Sequence, residues 1–356
     1  MSVIDRYIFR LTNTTIFTVV MCLLTLTTLF ALFEELNESE VSYGLIQAAN
    51  YIIGTMPRRL HELLIYSVFL GLLIALGRLA ESNELTILRV SGWSPLRILR
   101  SLIPTLLIWL TVGILISEYL LPTSEKSAEI EKLQTLHGDN PLNKDGGLWF
   151  RDKSLYMRIS AFGNQKDIFG ITQYRLNEDQ RLKSTLYAES GVYDVRLRNW
   201  TLIDIQETRF EDNKTSIETA DKRIWSNSIT PDMLASQAFI EPKKMSLLGL
   251  YRQINFIEEQ NIKNSQYSVA FWSRVFEPLA YISLAYYAIA ILLGPLRQTS
   301  SGSRISVGIF SGLGFMYLKN FFSPMVGVFG LPAIIAVLLP IVIVYCVARE
   351  LIRRNA

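Results

Sequence analysis

The sequence predicts a membrane α-helical bundle of six transmembrane helices with a β-domain inserted between the third and the fourth. Three observations predict it. Six apolar runs are each long enough for a helix to cross the hydrocarbon core, which takes about 20 residues at about 1.5 Å each. A polar stretch from Thr123 to about Glu241 breaks the series in the middle and shows apolar alternation with period two. Lys and Arg gather near one set of span ends.

The elements follow in order. Met1 to Arg10 (MSVIDRYIFR) is amphipathic, with Val3, Ile4, Tyr7 and Ile8 apolar and Asp5, Arg6 and Arg10 charged. It reads as an interfacial helix leading into a span. It is not a cleavable signal, because the following run is too long and lacks a small-residue cleavage site. Leu11 to Phe33 is the first span. An acidic loop is expected next, with Glu34, Glu35, Glu38 and Glu40. Tyr51 to Leu79 holds the second span, with Pro57, Arg58 and Arg59 near its start. Ile98 to Leu121 is the third, closed by Pro122.

In the polar stretch, Leu155, Met157 and Ile159 alternate, and so do Tyr193, Val195 and Leu197. Turn signals separate the runs, among them Asp145-Gly146-Gly147, Arg198-Asn199 and Asp212-Asn213. Short strands at this spacing predict a sandwich or barrel of about 100 residues. Ser246 to Gln260 returns to helical spacing through Leu247, Leu250, Ile254 and Ile257. Tyr267 to Leu293, Ile305 to Phe329 and Leu331 to Val347 are the last three spans. The chain thus divides into spans over 1–122, a β-domain with helical linkers over 123–260, and spans over 261–356.

With a cytoplasmic N-terminus, the cytoplasmic side holds Arg6, Arg10, Arg78, Arg89, Arg97, Arg100, Arg297, Arg304, Arg349, Arg353 and Arg354. The short outer loops hold Arg58, Arg59 and Lys319. This bias places both termini in the cytoplasm and the β-domain outside.

Composition narrows the chemistry. Half of the 356 residues are hydrophobic, and mean hydropathy is +0.26. A net charge of +3 with no basic aromatic patch argues against nucleic acid. Cys22 and Cys346 read as small buried hydrophobes, not as a disulfide. His61 and His137 stand apart, whereas a zinc site needs three or four convergent ligands. There is no GxxxxGK[ST] loop, no HExxH, and no His beside a Ser or Cys nucleophile. No catalytic centre and no cofactor is expected; ATP, if used, belongs to a partner.

Charge placement is the informative feature. Leu79 to Pro95 (LAESNELTILRVSGWSP) lies between two spans with its own helix signals. Ser82 or Asn83 can cap its start, Gly92 can end it, and Pro95 keeps it from resuming. Glu84 in its first turn either only favours the helix dipole or offers a carboxylate to a soluble partner. Lys319 sits about 15 residues into the fifth span, roughly 22 Å deep. It either snorkels to the outer interface or meets an anionic substrate. Arg58 and Arg59 are either anchors paired with Glu34, Glu35, Glu38 or Glu40, or a clamp for phosphate. The acidic loop is either solvated and paired or bridged by divalent cations to a phosphorylated lipid.

Several stretches together resemble the LptF/LptG permease family of lipopolysaccharide export. They are Val3-Ile4-Asp5-Arg6-Tyr7, Ser82 to Gly92 with Glu84-Leu85, and Gly147-Leu148-Trp149. Further along come Trp272 with Phe276 and Pro278, Gly294-Pro295-Leu296-Arg297 with Gly302 and Arg304, and Leu331-Pro332 through Leu339-Pro340. The likeness covers essentially the whole chain, and Asp5-Arg6-Tyr7 with Gly294-Pro295-Leu296-Arg297 favours the LptG branch.

The resemblance implies a periplasmic β-jellyroll between the third and fourth spans. It implies a heterodimer with LptF, an LptB ATPase dimer in the cytoplasm, and LptC, whose helix inserts beside the permease. The substrate is then lipopolysaccharide drawn from the bacterial inner membrane and its lipid. The segment 81–92 matches the family's coupling helix, and Glu84, with Leu85, Leu88 and Arg89, forms the expected contact with LptB. Arg58 falls where the family carries a basic residue near the lipid A phosphates. Arg59, Lys319, Glu35, Phe69, Phe315 and Phe322 complete the expected lipid-contacting set. The chain departs from the family where Glu34, Glu35, Asn37 and Glu38 replace lysines, and where Lys319 replaces an acid. The competing readings are a membrane-anchored scaffold with a protein-binding β-domain, and the sister subunit LptF.

Overall fold

The computed structural model describes residues 2–38, 44–137, 148–152, 155–162, 167–177, 181–194, 196–197, 199–211, 214–225, 231, 241–259, 265–293 and 300–355. Glu40, Gly147, Val195 and Gly294-Pro295-Leu296-Arg297 lie outside these residues.

The first half of the bundle contains α1 (Val3–Glu38), α2 (Leu45–Gly54), α3 (Met56–Glu81), α4 (Glu84–Val90), α5 (Pro95–Leu115) and α6 (Leu121–His137). The second half contains α7 (Leu247–Glu259), α8 (Ser265–Val275), α9 (Glu277–Leu293), α10 (Ser301–Phe322), α11 (Met325–Phe329) and α12 (Ala333–Asn355). Among the described residues, five helical segments are long and apolar enough to cross a membrane, or six when α8 and α9, bent by 57° against each other, count as one broken span. The chain is a membrane helical bundle with an inserted β-domain.

Three boundaries differ from expectation. Glu34, Glu35 and Glu38 continue α1 and are not in a loop. Pro57 opens α3, so Tyr51 belongs to the separate helix α2. Pro122 does not close the third span. A π-helical turn at Ile116–Leu120 precedes it, and the Leu121 N–H bonds back to the Ile116 carbonyl. The longer loop of that turn shifts the ladder by one residue, and Pro122 falls in the second position of α6, where its missing N–H does no harm.

α3 and α9 run through the middle of the bundle. Leu64, Val68, Phe69, Leu72, Leu73, Leu76 and Leu79 of α3 are buried against Leu284, Ala288, Ile289 and Leu292 of α9 and their neighbours. Apolar burial separates no oil from water inside a membrane, so close packing and polar cross-links carry the association. Gly71 provides the first. A Cβ there would lie 2.8 Å from the Ile16 Cα of α1. Asn13 provides the second, its amide donating to Thr105 Oγ1 (3.2 Å) and accepting from Trp109 Nε1 (3.1 Å) of α5. α1 and α10 keep apolar faces outward, with Phe17, Phe30 and Phe33 on one and Phe310, Tyr317 and Phe321 on the other. Cys22 and Cys346 are on exposed helix faces, not in the core as expected.

Among the described residues, the β-domain is one antiparallel sheet of six strands paired in chain order. They are β1 (Leu148–Asp152), β2 (Leu155–Phe162), β3 (Asp167–Leu176), β4 (Leu182–Asp194), β5 (Asn199–Glu211) and β6 (Lys214–Trp225). Met157 and Ile159 point to its core, as the alternation predicts. Leu197 does not continue the strand that holds Tyr193. β4 ends at Asp194, whose Oδ1 accepts from the Arg196 and Leu197 N–H groups (2.8 and 3.2 Å) and turns the chain.

The pairing skips on one line across the sheet, through Ser160, Gly170, Glu189, Asp204 and Asp221. Gly170 and Asp204 adopt positive φ there, +60° and +52°. β3, β4 and β5 cross this line with core-facing positions three apart instead of two: Ile168 and Ile171, Ala188 and Gly191, Leu202 and Ile205. The register is the same on both sides of the line, so no residue is inserted and the strands change facing through their backbone angles. Repeated in register, this change creases the sheet, and the single core around Trp200 lies inside the fold.

Glu207 and Glu218 sit opposite each other on β5 and β6. Arg209 bridges both (3.3 and 2.9 Å), and Arg223 meets Glu207 at 2.7 Å. Burial pushes the Glu207 carboxyl up, but hydrogen bonds from Arg223 and Arg209 outweigh it and hold it below its ordinary 4.5.

Two predictions follow from this packing. Gly71→Leu should cost about 1–3 kcal/mol, read as a lower melting temperature in detergent, while Gly314→Leu, with nothing within 4 Å, should cost little. Because the folded pKa of Glu207 is depressed, its ion cluster stabilises the sheet above pH 4.5 and loses that contribution as pH falls through the lower folded value. Hydrogen exchange at β5 and β6 in the whole chain should therefore speed up in acid beyond its intrinsic pH dependence. Glu207→Gln should remove that excess change.

Candidate functional site

α4 is built to stay rigid between two spans. Leu85 and Leu88 are buried in the bundle core, while Ile87 and Val90 are 62% and 85% exposed. Its end is a Schellman motif, with Trp93 N donating to Leu88 O and Gly92 N to Arg89 O, both at 3.0 Å. Gly92 supplies the φ of +88° that this motif requires. Pro95 does not hold off a further helix but starts α5, with Ser94 as the cap accepting from Arg97 N at 3.2 Å. The α4 start is unusual. Asn83 occupies the cap position with φ of +61° and makes no side-chain cap bond. Glu84 is instead held by Ser82 Oγ (2.9 Å) and by the Tyr7 hydroxyl of α1 (3.4 Å).

At the other end of the bundle, charges gather where the spans leave it. Arg58 Nε lies 3.4 Å from Glu125 of α6, and Lys244 Nζ lies 2.8 Å from the same carboxylate. Arg59 donates to Thr55 Oγ1 (2.6 Å) and to the Ile52 carbonyl (3.2 Å). Lys132 pairs with Glu35 at 2.5 Å and sits over the Tyr51 ring. Burial, then Glu129 and Glu125, push the Tyr51 hydroxyl up to about 12.

Between the two ends, the broken span meets the π-helical turn. The break leaves Arg274 in the last turn of α8 and Glu277 in the first turn of α9, each at the helix end whose dipole favours its charge. Arg274 donates to the Ser117 carbonyl inside the π turn (3.2 Å) and to the Lys243 carbonyl of the segment returning from the β-domain (3.0 Å). Glu118, from the same π turn, accepts the Leu247 N–H (2.8 Å) and so caps α7.

Residues 6–354 match the family model described as lipopolysaccharide export system permease LptF/LptG. The chain belongs to this family. It is similar to lipopolysaccharide export system permease protein LptG of Escherichia coli K12, at 28% identity over 100% of this chain and 99% of the relative. It is similar to the protein of the same name from Haemophilus influenzae Rd, at 26% identity over 95% of each.

Within this LptF/LptG member, the expected site residues separate into groups. Glu84 and Arg89 are half-buried on α4. Leu85 and Leu88 face inward and anchor the helix, while α4 presents Ile87 and Val90 to the outside. Arg58 and Arg59 do not form one clamp, since each has its own partners. Neither shows an ion pair with Glu34 or Glu35; Arg58 takes Glu125, and Glu35 takes Lys132. Phe69 and Phe315 are 1% and 4% exposed and pack the core of this chain, so they do not line an open lipid face. Phe322 is half-buried, edge-on to Phe321. Lys319 lies in the last turn of α10.

Sequence reading missed Glu118, Glu125, Lys244, Arg274 and Glu277. Arg274 and Glu277 carried a signal: two charges three apart, beside Pro278, inside an apolar run. Arg274→Gln should lower stability by about 1–3 kcal/mol, since two carbonyls at the break lose their donor. The measurement is the melting temperature of the purified protein, and Arg274→Lys should restore only part of it, one ammonium replacing a fork.

Proposed function

We propose that this chain is the transmembrane subunit that draws lipopolysaccharide out of the inner membrane and passes it to a periplasmic bridge. LptF is its heterodimer partner, an LptB dimer hydrolyses the ATP, and LptC joins beside the spans. The termini and α4 are then cytoplasmic and the β-domain periplasmic, in keeping with the arginine bias of the sequence.

The observation that carries this reading is α4. It is short, capped at its end by a Schellman motif, anchored by Leu85 and Leu88, and tied directly to α3 and α5. Ile87 and Val90 beside Arg89 offer an apolar face with a charged edge. A soluble ATPase pushing on that face would move two spans together. Glu84 supports the push from within, because Tyr7 joins it to α1. Arg58, Arg59 and Lys319, at the opposite end, are the candidates to meet the phosphates of lipid A, and the exposed aromatic faces of α1 and α10 are suited to acyl chains.

Charge reversal at Glu84 tests the coupling. Glu84→Lys should leave the subunit in the membrane and abolish ATP-driven release of lipopolysaccharide from proteoliposomes. Normal export by an assembled Glu84→Lys complex would sink the assignment of α4.

A further inference from the structure

Glu125 is the least ordinary charged residue in the protein. Its side chain is 1% exposed, yet it carries no aligned hydrogen bond on either carboxylate oxygen among the described residues. Buried carboxylates are normally held by several directional donors. Here the hold is ionic. Arg58 approaches from the first turn of α3, and Lys244 approaches from the short turn Pro242–Lys244 that returns from the β-domain. Both reach the same oxygen, at 3.4 and 2.8 Å, and the Arg58 Nε also lacks an aligned acceptor.

A carboxylate held by charge alone gives way to a better anion. A phosphate monoester brings three acceptor oxygens and a charge near about −2. The guanidinium fork matches its geometry, and an ammonium adds a point charge. Arg58 and Lys244 are 25% and 13% exposed, so an anion can reach both from the surface. Arg59 is not part of this arrangement, because its Nη1 serves Thr55 and Ile52.

We propose that Glu125 is a built-in stand-in for the phosphate of the transported lipid. It holds Arg58 and Lys244 in place while no lipid is bound, and it yields both when a phosphorylated headgroup arrives. Lys244 belongs to the turn below the β-domain, so the exchange also frees that turn from α6. The idea rests on the reading of Arg58 as a lipid contact and adds Lys244 as a second cation and Glu125 as the competing anion.

The test uses the assembled transporter in nanodiscs and two probes, lipid A with both phosphates and lipid A with both removed. Wild type should prefer the phosphorylated probe; equal binding of the two would overturn the reading of Arg58 and the proposal with it. Glu125→Gln should bind the phosphorylated probe about fivefold more tightly, since the anion that competes for both cations is gone, and should bind the other probe unchanged. Lys244→Gln should weaken binding of the phosphorylated probe. An ion cluster that only holds elements together would move both variants in the same direction, and that outcome defeats the proposal. If Glu125→Gln folds poorly, Glu125→Asp keeps the charge but shortens the reach, and it should shift binding the same way by less. No change or weaker binding in Glu125→Asp would then count against it.

Discussion

Backbone polar groups inside a membrane need partners, and this fold turns on how one guanidinium supplies them. The fourth span breaks around Phe276, where Pro278 offers no N–H to the ladder. Opposite, the continuation of α5 widens into a π turn. Irregular backbone at such depth survives only against protein partners. Arg274 bonds one carbonyl of the π turn and one of the segment returning from the sheet. Glu118 adds the cap of α7. The junction between bundle and β-domain is therefore held by side chains on backbone groups, with the two irregular segments meeting each other.

The rest of the bundle follows the same economy of space and polarity. Gly71 lets α1 approach α3 to backbone distance, and Asn13 cross-links α1 to α5. α3 is one continuous helix from Met56 to Glu81. One end adjoins α4 with its exposed Ile87 and Val90; the other begins with Arg58. The candidate surfaces for force and for lipid are thus two ends of one helix.

Much of this was readable in the residues. Six apolar runs and a polar insert define the architecture, and Met157 with Ile159 identifies a core-facing strand. Glu84 and Arg89 stood out as charges between spans. The failures have physical causes. A π turn adds a residue to a helical turn without a compositional mark, so Pro122 read as a stop. The crease in the sheet changes the inward spacing from two to three, which blurs period-two alternation in β3, β4 and β5. Glu125, Arg58 and Lys244 come from segments far apart in sequence, and no local pattern announces their meeting. Phe69 and Phe315 read as lipid contacts because an aromatic in a span looks the same whether it faces lipid or core.

The crease through Ser160, Gly170, Glu189, Asp204 and Asp221 has a mechanical meaning. A sandwich of two separate sheets widens by sliding or parting its faces. Here both leaves share the same strands, paired in one order on either side of the line. Opening or closing the trough around Trp200 is torsion along a single line, where Gly170 and Asp204 already sit at unusual φ. The domain is a folded plate in which every strand keeps one neighbour order from leaf to leaf.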